Sequence, residues 1–425
     1  MFTTCISVNQ YLDKREKVGI KPGLDRVIRL LKSVNFYEQS FKGIHVAGTN
    51  GKGSTVTYLA SCYRACEKQV GTFMSPSLTD RQEMIKMNLE PIDETFYVNY
   101  FNQVKPMIDQ LDKEQDPPSS FEIMVVIALK YFQDYADVSI IEAGLGGRDD
   151  ATNVFTPIAS VITSIGYDHM QFLGTTLPEI TKQKAGIIKE EIPVIVGDVS
   201  DVARQVIRKE ANQKRSPFYF YGESFSVKQA EDEWTYQSMN LKLAFSLKMK
   251  GTHQARNAAV AIKTLFVLNQ DHDNVSLGQI KRGIKEAAIK GRFEQISTAP
   301  DIIIDGAHNT EAMQVFVDTI KETQEDNQEI QVLFAAFKDK PIKQMLEVIR
   351  TVTDNIIFTT FNHPRAASIE ELKKLAPKGL KIKEAPDWQV FIEKMTKAEQ
   401  VTYVVGSLDF IGKVRQNIKC RVLQK

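Results

Sequence analysis

The chain has 425 residues, of which 25% are charged and 43% hydrophobic, and its formal net charge is +1. This composition is ordinary for a globular protein, and the length predicts two domains. The balanced charge excludes electrostatic capture of nucleic acid or of a membrane surface as the main function. The N-terminal residues lack a secretory signal, and no apolar run is as long as a membrane span, about 18 residues. The cysteine spacing predicts neither a zinc site nor a disulfide framework, so we expect a reducing, cytoplasmic compartment.

Short apolar runs alternate with longer helical patterns along the chain. After a predicted strand at residues 44–47, further strands are expected at 70–74, 138–142, 159–165, 193–196, 302–304, 331–335, 356–360 and 402–405. Helical periodicity fills most intervals, for example residues 25–34, 121–134, 253–268 and 312–322. This alternation predicts an α/β fold in which helices cover both faces of parallel sheets. Residues 224–250 alternate polar and apolar side chains and predict a small antiparallel sheet, and we expect a domain boundary near residues 298–300.

The most informative segment follows the first predicted strand and reads Gly48-Thr49-Asn50-Gly51-Lys52-Gly53-Ser54. A strand, a glycine-rich turn and a helix N-terminus form a cradle for anions, because backbone N–H groups converge there and the helix dipole adds positive potential. The common P-loop pattern has four residues between its first glycine and the Gly-Lys pair, whereas here only Thr49 and Asn50 intervene. That pattern also has Ser or Thr directly after the lysine, whereas here Gly53 follows Lys52. The segment therefore predicts a nucleoside triphosphate site with a displaced Ser54. A plain turn is the alternative, which three glycines and a lysine disfavour.

Polar side chains follow several of the predicted strands. Since the carboxyl ends of parallel strands form the ligand-binding edge of an α/β sheet, Glu142 is placed to hold Mg²⁺, although a turn-capping role is the alternative. A lone histidine is more often structural, but His169 follows the next strand and adds a further polar group to the same edge. Lys184 falls in a predicted helix, where a lysine usually faces solvent. In the second half, Asp305 and His308 again follow a strand.

These segments belong to an ordered series of motifs. The series is HVAGTNGKGS, SP-x-L, GLGGR-x-DATNV, TSIG-x-DH, KAGI-x-K, HQ-x-x-NA, GRFE, DGAHN and VGSL. It resembles the folylpolyglutamate synthase and dihydrofolate synthase family, a branch of the Mur-type ATP-dependent amide ligases, from Gly23 to Leu408. The resemblance implies an N-terminal P-loop Mur-ligase-like domain with a parallel sheet, at residues 1–295. It also implies a C-terminal doubly wound α/β domain, at residues 300–425.

The resemblance further implies roles for the residues at matching positions. Those implied to bind ATP are Thr49, Asn50, Gly51, Lys52, Gly53, Ser54, Asn257, Arg292, Asp305 and His308. Two Mg²⁺ sites are implied, with the ligands Ser75, Glu142 and His169, which would compensate for the displaced Ser54. Lys184 matches a lysine that is carboxylated to a carbamate. The implied catalytic residues are Lys52, His169 and Lys184.

The folate side matches the family pattern less well. The residues implied to contact folate are Ile20, Lys21, Pro22, Gly23, Ser119, Ser120, Phe121, Glu122 and Asp149. In or beside these segments, Ser77 replaces the family's usual histidine, Met84 an arginine, and Asp149 a leucine. Because the ATP and metal motifs are intact, these departures concern the preferred folate and not the ligase chemistry.

The implied function is ATP-dependent addition of L-glutamate to a folate through an acyl phosphate. The sequence leaves open whether dihydropteroate is also accepted, which would add dihydrofolate synthase activity. A Mur-type ligase for a different carboxylic acid is a second hypothesis, motivated by Ser77, Met84 and Asp149. A P-loop protein that binds nucleotide without ligase activity is a third, which the intact metal motifs disfavour. The expected partners are small molecules, namely ATP, L-glutamate and a folate, and the chain is expected to be a monomer.

Overall fold

The computed structural model describes residues 1–19, 21–230, 233–239, 241–269, 275–324, 328–395 and 400–422. The chain divides into two compact units, Met1–Lys248 with Gln254–Ala287, and Met249–His253 with Ala288–Lys425. Within the described ranges, every helix is too short or too polar to cross a membrane.

The first unit contains two sheets and most of the helices. Its strands are β1 (Gly43–Ala47), β2 (Val70–Phe73), β3 (Ile85–Met87), β4 (Glu90–Pro91), β5 (Val138–Glu142), β6 (Ala159–Ile162), β7 (Val194–Val196), β8 (Phe218–Phe220), β9 (Phe225–Ala230), β10 (Glu233–Ser238) and β11 (Leu241–Phe245). Its helices are α1 (Cys5–Lys14), α2 (Asp25–Ser33), α3 (Lys52–Arg64), α4 (Glu94–Lys113), α5 (Ser120–Tyr135), α6 (Met170–Leu173), α7 (Leu177–Ala185), α8 (Asp201–Gln213), α9 (Thr252–Leu268) and α10 (Leu277–Glu286).

The large sheet of the first unit has the strand order β4-β3-β2-β5-β1-β6-β7-β8. Strands β2, β5, β1, β6, β7 and β8 are parallel, whereas β3, near one edge, pairs antiparallel with both β2 and β4. All five residues of the central strand β1 are buried, as expected for a parallel strand covered on both faces. Because β1 lies between β5 and β6, the loops after these three strands meet at one edge of the sheet.

The edge strands of this sheet and the small second sheet complete the unit. Strand β4 is only two residues long and both residues are exposed. Strands β9, β10 and β11 form an antiparallel three-stranded sheet, which confirms the prediction for residues 224–250. The predicted strand at 159–165 ends earlier, at Ile162, because the following residues turn to bond the loop after β1.

The second unit contains one sheet of mostly parallel strands, with helices in the connections between them. Its strands are β12 (Glu294–Thr298), β13 (Asp301–Ile304), β14 (Ile330–Phe334), β15 (Ile356–Phe358), β16 (Lys383–Glu384) and β17 (Val401–Val405), in the order β12-β13-β17-β14-β15-β16. Its helices are α11 (Thr310–Thr323), α12 (Ile342–Ile349), α13 (Ile369–Leu375), α14 (Trp388–Lys394) and α15 (Leu408–Val422). All pairings are parallel except β12 with β13, and the two residues of the edge strand β16 are exposed. The predicted α/β fold class is confirmed in both units.

The stretch near residues 298–300, expected as a boundary, has a different structure. It forms the tip of the antiparallel hairpin of β12 and β13, and the compact unit that contains this hairpin begins at Ala288. A proline and a break in the apolar pattern mark a hairpin turn as readily as they mark a linker. The division into functional domains at 1–295 and 300–425 stays a prediction.

Candidate nucleotide and ligase site

The loop from Gly48 to Ser54, called here the phosphate loop, connects β1 directly to α3. Gly51 precedes the helix with φ 83°, a conformation that favours glycine, and within the described residues no side chain caps this helix. The first N–H groups of a helix have no intrahelical acceptor, so the start of α3 offers backbone donors to an anion. Ser54 lies in the first turn and is buried. The structure thus has the strand, turn and helix N-terminus that the sequence predicts.

Two lysines and a glutamate converge behind this loop. Lys52 Nζ donates to the carbonyl oxygens of Gly48 and Thr49, each at 3.1 Å, and lies 3.8 Å from Glu142 Oε1. Lys184 Nζ donates to the same Gly48 oxygen at 2.9 Å. The Glu142 side chain is 7% exposed and ends β5, next to β1. Three of the predicted site residues are therefore brought together at one sheet edge.

Lys184 is buried, in contrast to the solvent-facing position that a helical lysine usually has. Only 4% of the residue is exposed. A Cβ added to Gly147 would lie 2.9 Å from the Lys184 carbonyl oxygen, and one added to Gly186 would lie 2.5 Å from Arg148 Cα. The glycines of the GLGGR and KAGI motifs therefore let the loop after β5 meet the end of α7 at backbone distance, and this contact holds Lys184 against the phosphate loop.

The three predicted metal ligands differ in how far they are exposed to solvent. Ser75 follows β2 and is half-buried, and Glu142 is buried. The His169 side chain is 41% exposed, its backbone is left-handed with φ 50°, and its Nε2 lies 3.8 Å from Asp168 Oδ2. In the part of the chain that the structure describes, no three His, Cys, Asp or Glu side chains are grouped to hold a metal ion. The ligand set stays a prediction.

A buried polar chain beneath the site was missed by the sequence reasoning. His45 in β1 is fully buried, and its Nε2 lies 2.9 Å from Thr152 Oγ1. The Thr152 hydroxyl donates to Asp150, which also accepts the Leu145 N–H at 2.6 Å. Burial, with a smaller contribution from Lys189, lowers the pKa of His45 to about 3, so this imidazole is neutral. Because the Thr152 hydroxyl already donates to Asp150, its oxygen accepts the Nε2–H of His45. A polar residue within an apolar strand was the available signal.

The Asp150 carboxyl group holds the loop after β5 by accepting hydrogen bonds from the N–H groups of Leu145 and Thr152. Burial raises its pKa, although hydrogen bonds from Thr152 and from backbone N–H groups act in the opposite direction. Its neighbour Asp149, the predicted folate residue, is exposed instead. The two adjacent aspartates thus have opposite environments, which the sequence alone does not distinguish.

The predicted folate residues around α5 have strong structural partners. Ser119 and Glu122 form the capping box that starts α5, and Glu122 accepts the Ser119 N–H at 2.7 Å. Arg26 Nε donates to the other Glu122 oxygen at 2.9 Å. The Ser120 hydroxyl donates to Glu16 at 3.0 Å. Glu122 and Ser119 therefore stabilise the start of α5 whatever else they contact.

Phe121 and the segment before α2 are more open. The Phe121 ring centroid lies 5.8 Å from that of Phe73, and a Cβ at Gly144 would lie 2.4 Å from Phe121 Cζ. Lys21 Nζ donates to the Pro117 carbonyl oxygen at 3.3 Å. Pro22 is exposed, and Gly23 has φ 109°. Ile20 lies outside the described residues.

The remaining predicted ATP residues lie on both units. In the first unit, Asn257 on α9 packs against the phosphate loop, since a Cβ at Gly51 would lie 2.4 Å from its Oδ1. In the second unit, Asp305 follows β13 and accepts the N–H groups of Phe293 and Ala307, each at 2.8 Å. Burial raises the pKa of Asp305, which the Arg292 guanidinium partly offsets.

His308 also lies in the second unit, in the loop between β13 and α11. Its Nδ1 donates to the Gly306 carbonyl oxygen at 2.7 Å. A Cβ at Gly306 would lie 2.2 Å from a guanidinium nitrogen of Arg292. Glycine is therefore required there for Arg292 to lie across this loop. The neighbouring Asn309 caps α11 by accepting the Ala312 N–H at 2.8 Å.

Comparison with known proteins agrees with this architecture. The Mur ligase middle domain family matches residues 46–265, and the Mur ligase, glutamate ligase domain family matches residues 291–408. A dihydrofolate synthase/folylpolyglutamate synthase of Bacillus subtilis is 37% identical over 99% of this chain and 100% of its own length. A folylpolyglutamate synthase of Lacticaseibacillus casei is 30% identical over 92% of this chain and 94% of its own.

Solved structures give the same result. E. coli FolC in complex with DHPP and ADP superposes with a TM-score of 0.88 at 28% identity, over 99% of this chain and 98% of that one. Mycobacterium tuberculosis folylpolyglutamate synthase complexed with ADP superposes with a TM-score of 0.90 at 25% identity, over 97% and 98%. Fold and domain matches together define an ATP-dependent ligase of the Mur type. The chain belongs to the dihydrofolate synthase/folylpolyglutamate synthase family.

Proposed function

We propose that this chain adds L-glutamate to a folate in an ATP-dependent reaction. The observation that carries the proposal is the convergence of Lys52, Lys184 and Glu142 behind the phosphate loop. Such an arrangement supplies charge of both signs where a triphosphate would meet a metal ion. The family of the chain supplies the acceptor and the amine, since its relatives are named for glutamate addition to folates.

The chemistry follows from the stability of carboxylates. A carboxylate does not react with an amine in water, so it must first be activated. The acceptor carboxylate attacks the γ-phosphorus of ATP, the bond to the β–γ bridging oxygen breaks, and ADP leaves. The amine of L-glutamate then attacks the acyl carbon, loses a proton, and expels inorganic phosphate to leave an amide. Lys52 would neutralise charge on the transferred phosphoryl group, which is the main task of a protein in phosphoryl transfer.

Magnesium ions fit the donor set. Mg²⁺ prefers oxygen ligands and is held by one or two carboxylates together with substrate phosphates and water, so a single buried carboxylate such as Glu142 is sufficient from the protein side. We assign Ser75, Glu142 and His169 to two Mg²⁺ sites. Bound there, the ions would neutralise phosphate charge and polarise the reacting oxygens.

Lys184 is proposed to carry a carbamate in the active protein, formed when its neutral amine adds to carbon dioxide and the nitrogen loses a proton. A carbamate is anionic, whereas a protonated lysine cannot act as a metal ligand. Its buried amine, at 2.9 Å from the Gly48 oxygen, is close to the phosphate loop and separated from bulk solvent. With Lys52 and His169, Lys184 completes the proposed catalytic residues.

The other site assignments follow the family motifs. The residues proposed to bind ATP are residues 49–54, Asn257, Arg292, Asp305 and His308. The folate would contact residues 20–23, residues 119–122 and Asp149. We further propose that the protein is a monomer in the cytoplasm that binds small molecules only.

Isotope transfer tests the proposal most directly. A folate monoglutamate labelled with ¹⁸O in its γ-carboxylate is incubated with ATP, Mg²⁺ and L-glutamate, and the released phosphate is analysed by mass. An acyl phosphate requires one labelled oxygen in the phosphate. Product formation with unlabelled phosphate would exclude that route.

Omission reactions separate the competing functions. ADP release that needs both the folate and L-glutamate supports the proposal. ADP release with another acid, but not with a folate, identifies a Mur-type ligase of different specificity. ADP release without any acceptor identifies a nucleotide hydrolase and would contradict the ligase assignment.

A further inference from the structure

Residues 163–166, which follow β6, bind the backbone of the phosphate loop. Thr49 N–H donates to the Ser164 carbonyl oxygen at 2.9 Å, and Gly166 N–H donates to Thr49 Oγ1 at 2.9 Å. Asn50 N–H donates to Ser164 Oγ at 2.9 Å. The proposed reaction gives these residues no chemical role, so their contacts need a separate explanation.

Two hydroxyl groups converge on one carbonyl oxygen of the loop. Thr163 Oγ1 donates to the Asn50 oxygen at 2.7 Å, and Ser164 Oγ donates to it at 3.0 Å. Thr163 is only 4% exposed, whereas Ser164 is half-buried. A buried hydroxyl that donates to a loop carbonyl restricts that peptide group more than a solvent-exposed one, because water cannot replace it.

The position of Thr163 is fixed by glycines on both neighbouring strands. A Cβ at Gly48, after β1, would lie 2.0 Å from Thr163 Oγ1. A Cβ at Gly197, after β7, would lie 2.1 Å from the Thr163 carbonyl oxygen. The backbone on each side therefore approaches Thr163 as closely as it can, and glycine is required at both positions for this approach.

The consequence concerns the peptide between Asn50 and Gly51. In a planar trans peptide the C=O and the N–H point in opposite directions. Holding the Asn50 oxygen toward Thr163 therefore turns the Gly51 N–H away from β6. Gly51 has φ 83°, and glycine accepts either sign of φ, so this peptide would be free to flip if its carbonyl were not held.

We propose that Thr163 is a positioning residue for nucleotide binding, whose hydroxyl orients the Asn50–Gly51 peptide so that the Gly51 N–H faces the phosphates. The phosphate loop is short, and the hydrogen bond from Thr163, just after β6, restricts the motion of its backbone. This inference rests on the proposed phosphate-binding role of the loop, and it extends that role to residues outside the loop.

Binding of ADP to the full-length protein, measured by calorimetry with Mg²⁺, tests the inference. Thr163→Val removes the hydroxyl and keeps the shape, and should weaken ADP binding about tenfold, the loss expected from one hydrogen bond. Thr163→Ser keeps the hydroxyl and should restore binding to within about twofold of wild type. In steady-state assays, Thr163→Val should raise the KM for ATP and leave the KM values for folate and L-glutamate unchanged.

Thr264→Val is the matched control. Thr264 is fully buried, and its hydroxyl donates to Val260 O at 2.8 Å within α9, so the substitution removes the same group without touching the loop. Equal ADP affinity in Thr163→Val and Thr264→Val overturns the inference. If Thr163→Val is insoluble, Thr163→Ala, which removes the same hydroxyl, takes its place with the same expectation and the same overturning result. Wild-type protein that binds no ADP would instead overturn the proposed function itself.

Discussion

The phosphate loop and the folate-side segment at residues 119–122 are both predicted to bind substrate, yet their side chains are engaged differently. Lys52 and Lys184 donate to a neutral backbone carbonyl, that of Gly48. Glu122, in contrast, accepts three hydrogen bonds, one from the charged Arg26 and two from the N–H and the hydroxyl of Ser119. An ammonium group gains when it exchanges a carbonyl for a phosphate or a carboxylate, since hydrogen bonds between charged groups are stronger. A carboxylate already paired in this way gains little from a ligand.

This contrast separates residues that contact substrate from residues that stabilise the fold within one motif. Membership of a motif does not distinguish the two roles, whereas the partner of each side chain does. A lysine that is hydrogen-bonded to a carbonyl can exchange it for a phosphate, whereas a glutamate held by a capping box and by a half-buried arginine keeps its partners. Substitutions of these side chains should therefore affect turnover at the lysines and stability at Glu122.

Lys52→Ala should abolish glutamate addition, with turnover falling by about a thousandfold or more, because no other side chain of the loop can neutralise phosphate charge. The unfolding temperature should stay within about 3 °C of wild type, since the side chain makes two hydrogen bonds to carbonyl oxygens and one ion pair of 3.8 Å, and contributes little packing. Lys42→Ala, an exposed lysine just before β1, is the control. Near wild-type turnover in Lys52→Ala would contradict the nucleotide assignment of the loop.

Lys184→Ala should reduce turnover by about a hundredfold, and millimolar acetate should restore part of it by supplying the missing carboxylate. The control Lys182→Ala, an exposed lysine on the same helix, should keep normal turnover. Crystals of active protein with bound nucleotide should show a carbamate on Lys184. A plain lysine in such crystals would refute the proposed modification.

Glu122→Gln should lower the free energy of unfolding by about 2 kcal/mol, because it weakens a buried cap and leaves the Arg26 guanidinium with Asp116 but without its closer charged partner. Urea denaturation measures the change. The control is Glu114→Gln, which breaks an exposed pair with Arg29 and should cost at most about 0.5 kcal/mol. If Glu122→Gln is as stable as Glu114→Gln but binds folate poorly, Glu122 contacts substrate and the distinction drawn above is wrong.

The smallest effect concerns acceptor choice. If Ser77, Met84 and Asp149 reshape the pterin site, kcat/KM for dihydropteroate should be about tenfold below that for a reduced folate monoglutamate. Met84 is buried in the hydrophobic core of the first unit, so its substitution acts through packing, whereas Asp149 is exposed. Asp149→Leu should therefore raise dihydropteroate activity more than Met84→Arg. Equal specificity constants for the two acceptors in the wild type would contradict this prediction.

The sequence predicted the parallel strands and the phosphate loop because both have local signatures, an apolar run followed by glycines. It also predicted the small antiparallel sheet from its period-two alternation. It did not predict the buried chain from His45 through Thr152 to Asp150, nor the contact of Thr163 with Asn50. The contacts of His45 with Thr152 and of Thr163 with Asn50 join residues about a hundred positions apart, and no local pattern records which hydroxyl reaches which strand or loop. The burial of Lys184 is not predicted either, because the Gly48 carbonyl that it contacts is also distant in the sequence.

The two short outer strands described above have a consequence for how the protein behaves at high concentration. An open sheet edge is a template on which a second chain can add a strand, and long apolar edges promote aggregation. Strand β4 has only Glu90 and Pro91, and strand β16 only Lys383 and Glu384, all exposed. The proline has no N–H to donate, and the charged side chains repel an approaching apolar strand. Replacing Glu90 and Pro91 by valines would create an apolar sheet edge on which a second chain could add a strand. Light scattering should then report self-association of the folded protein.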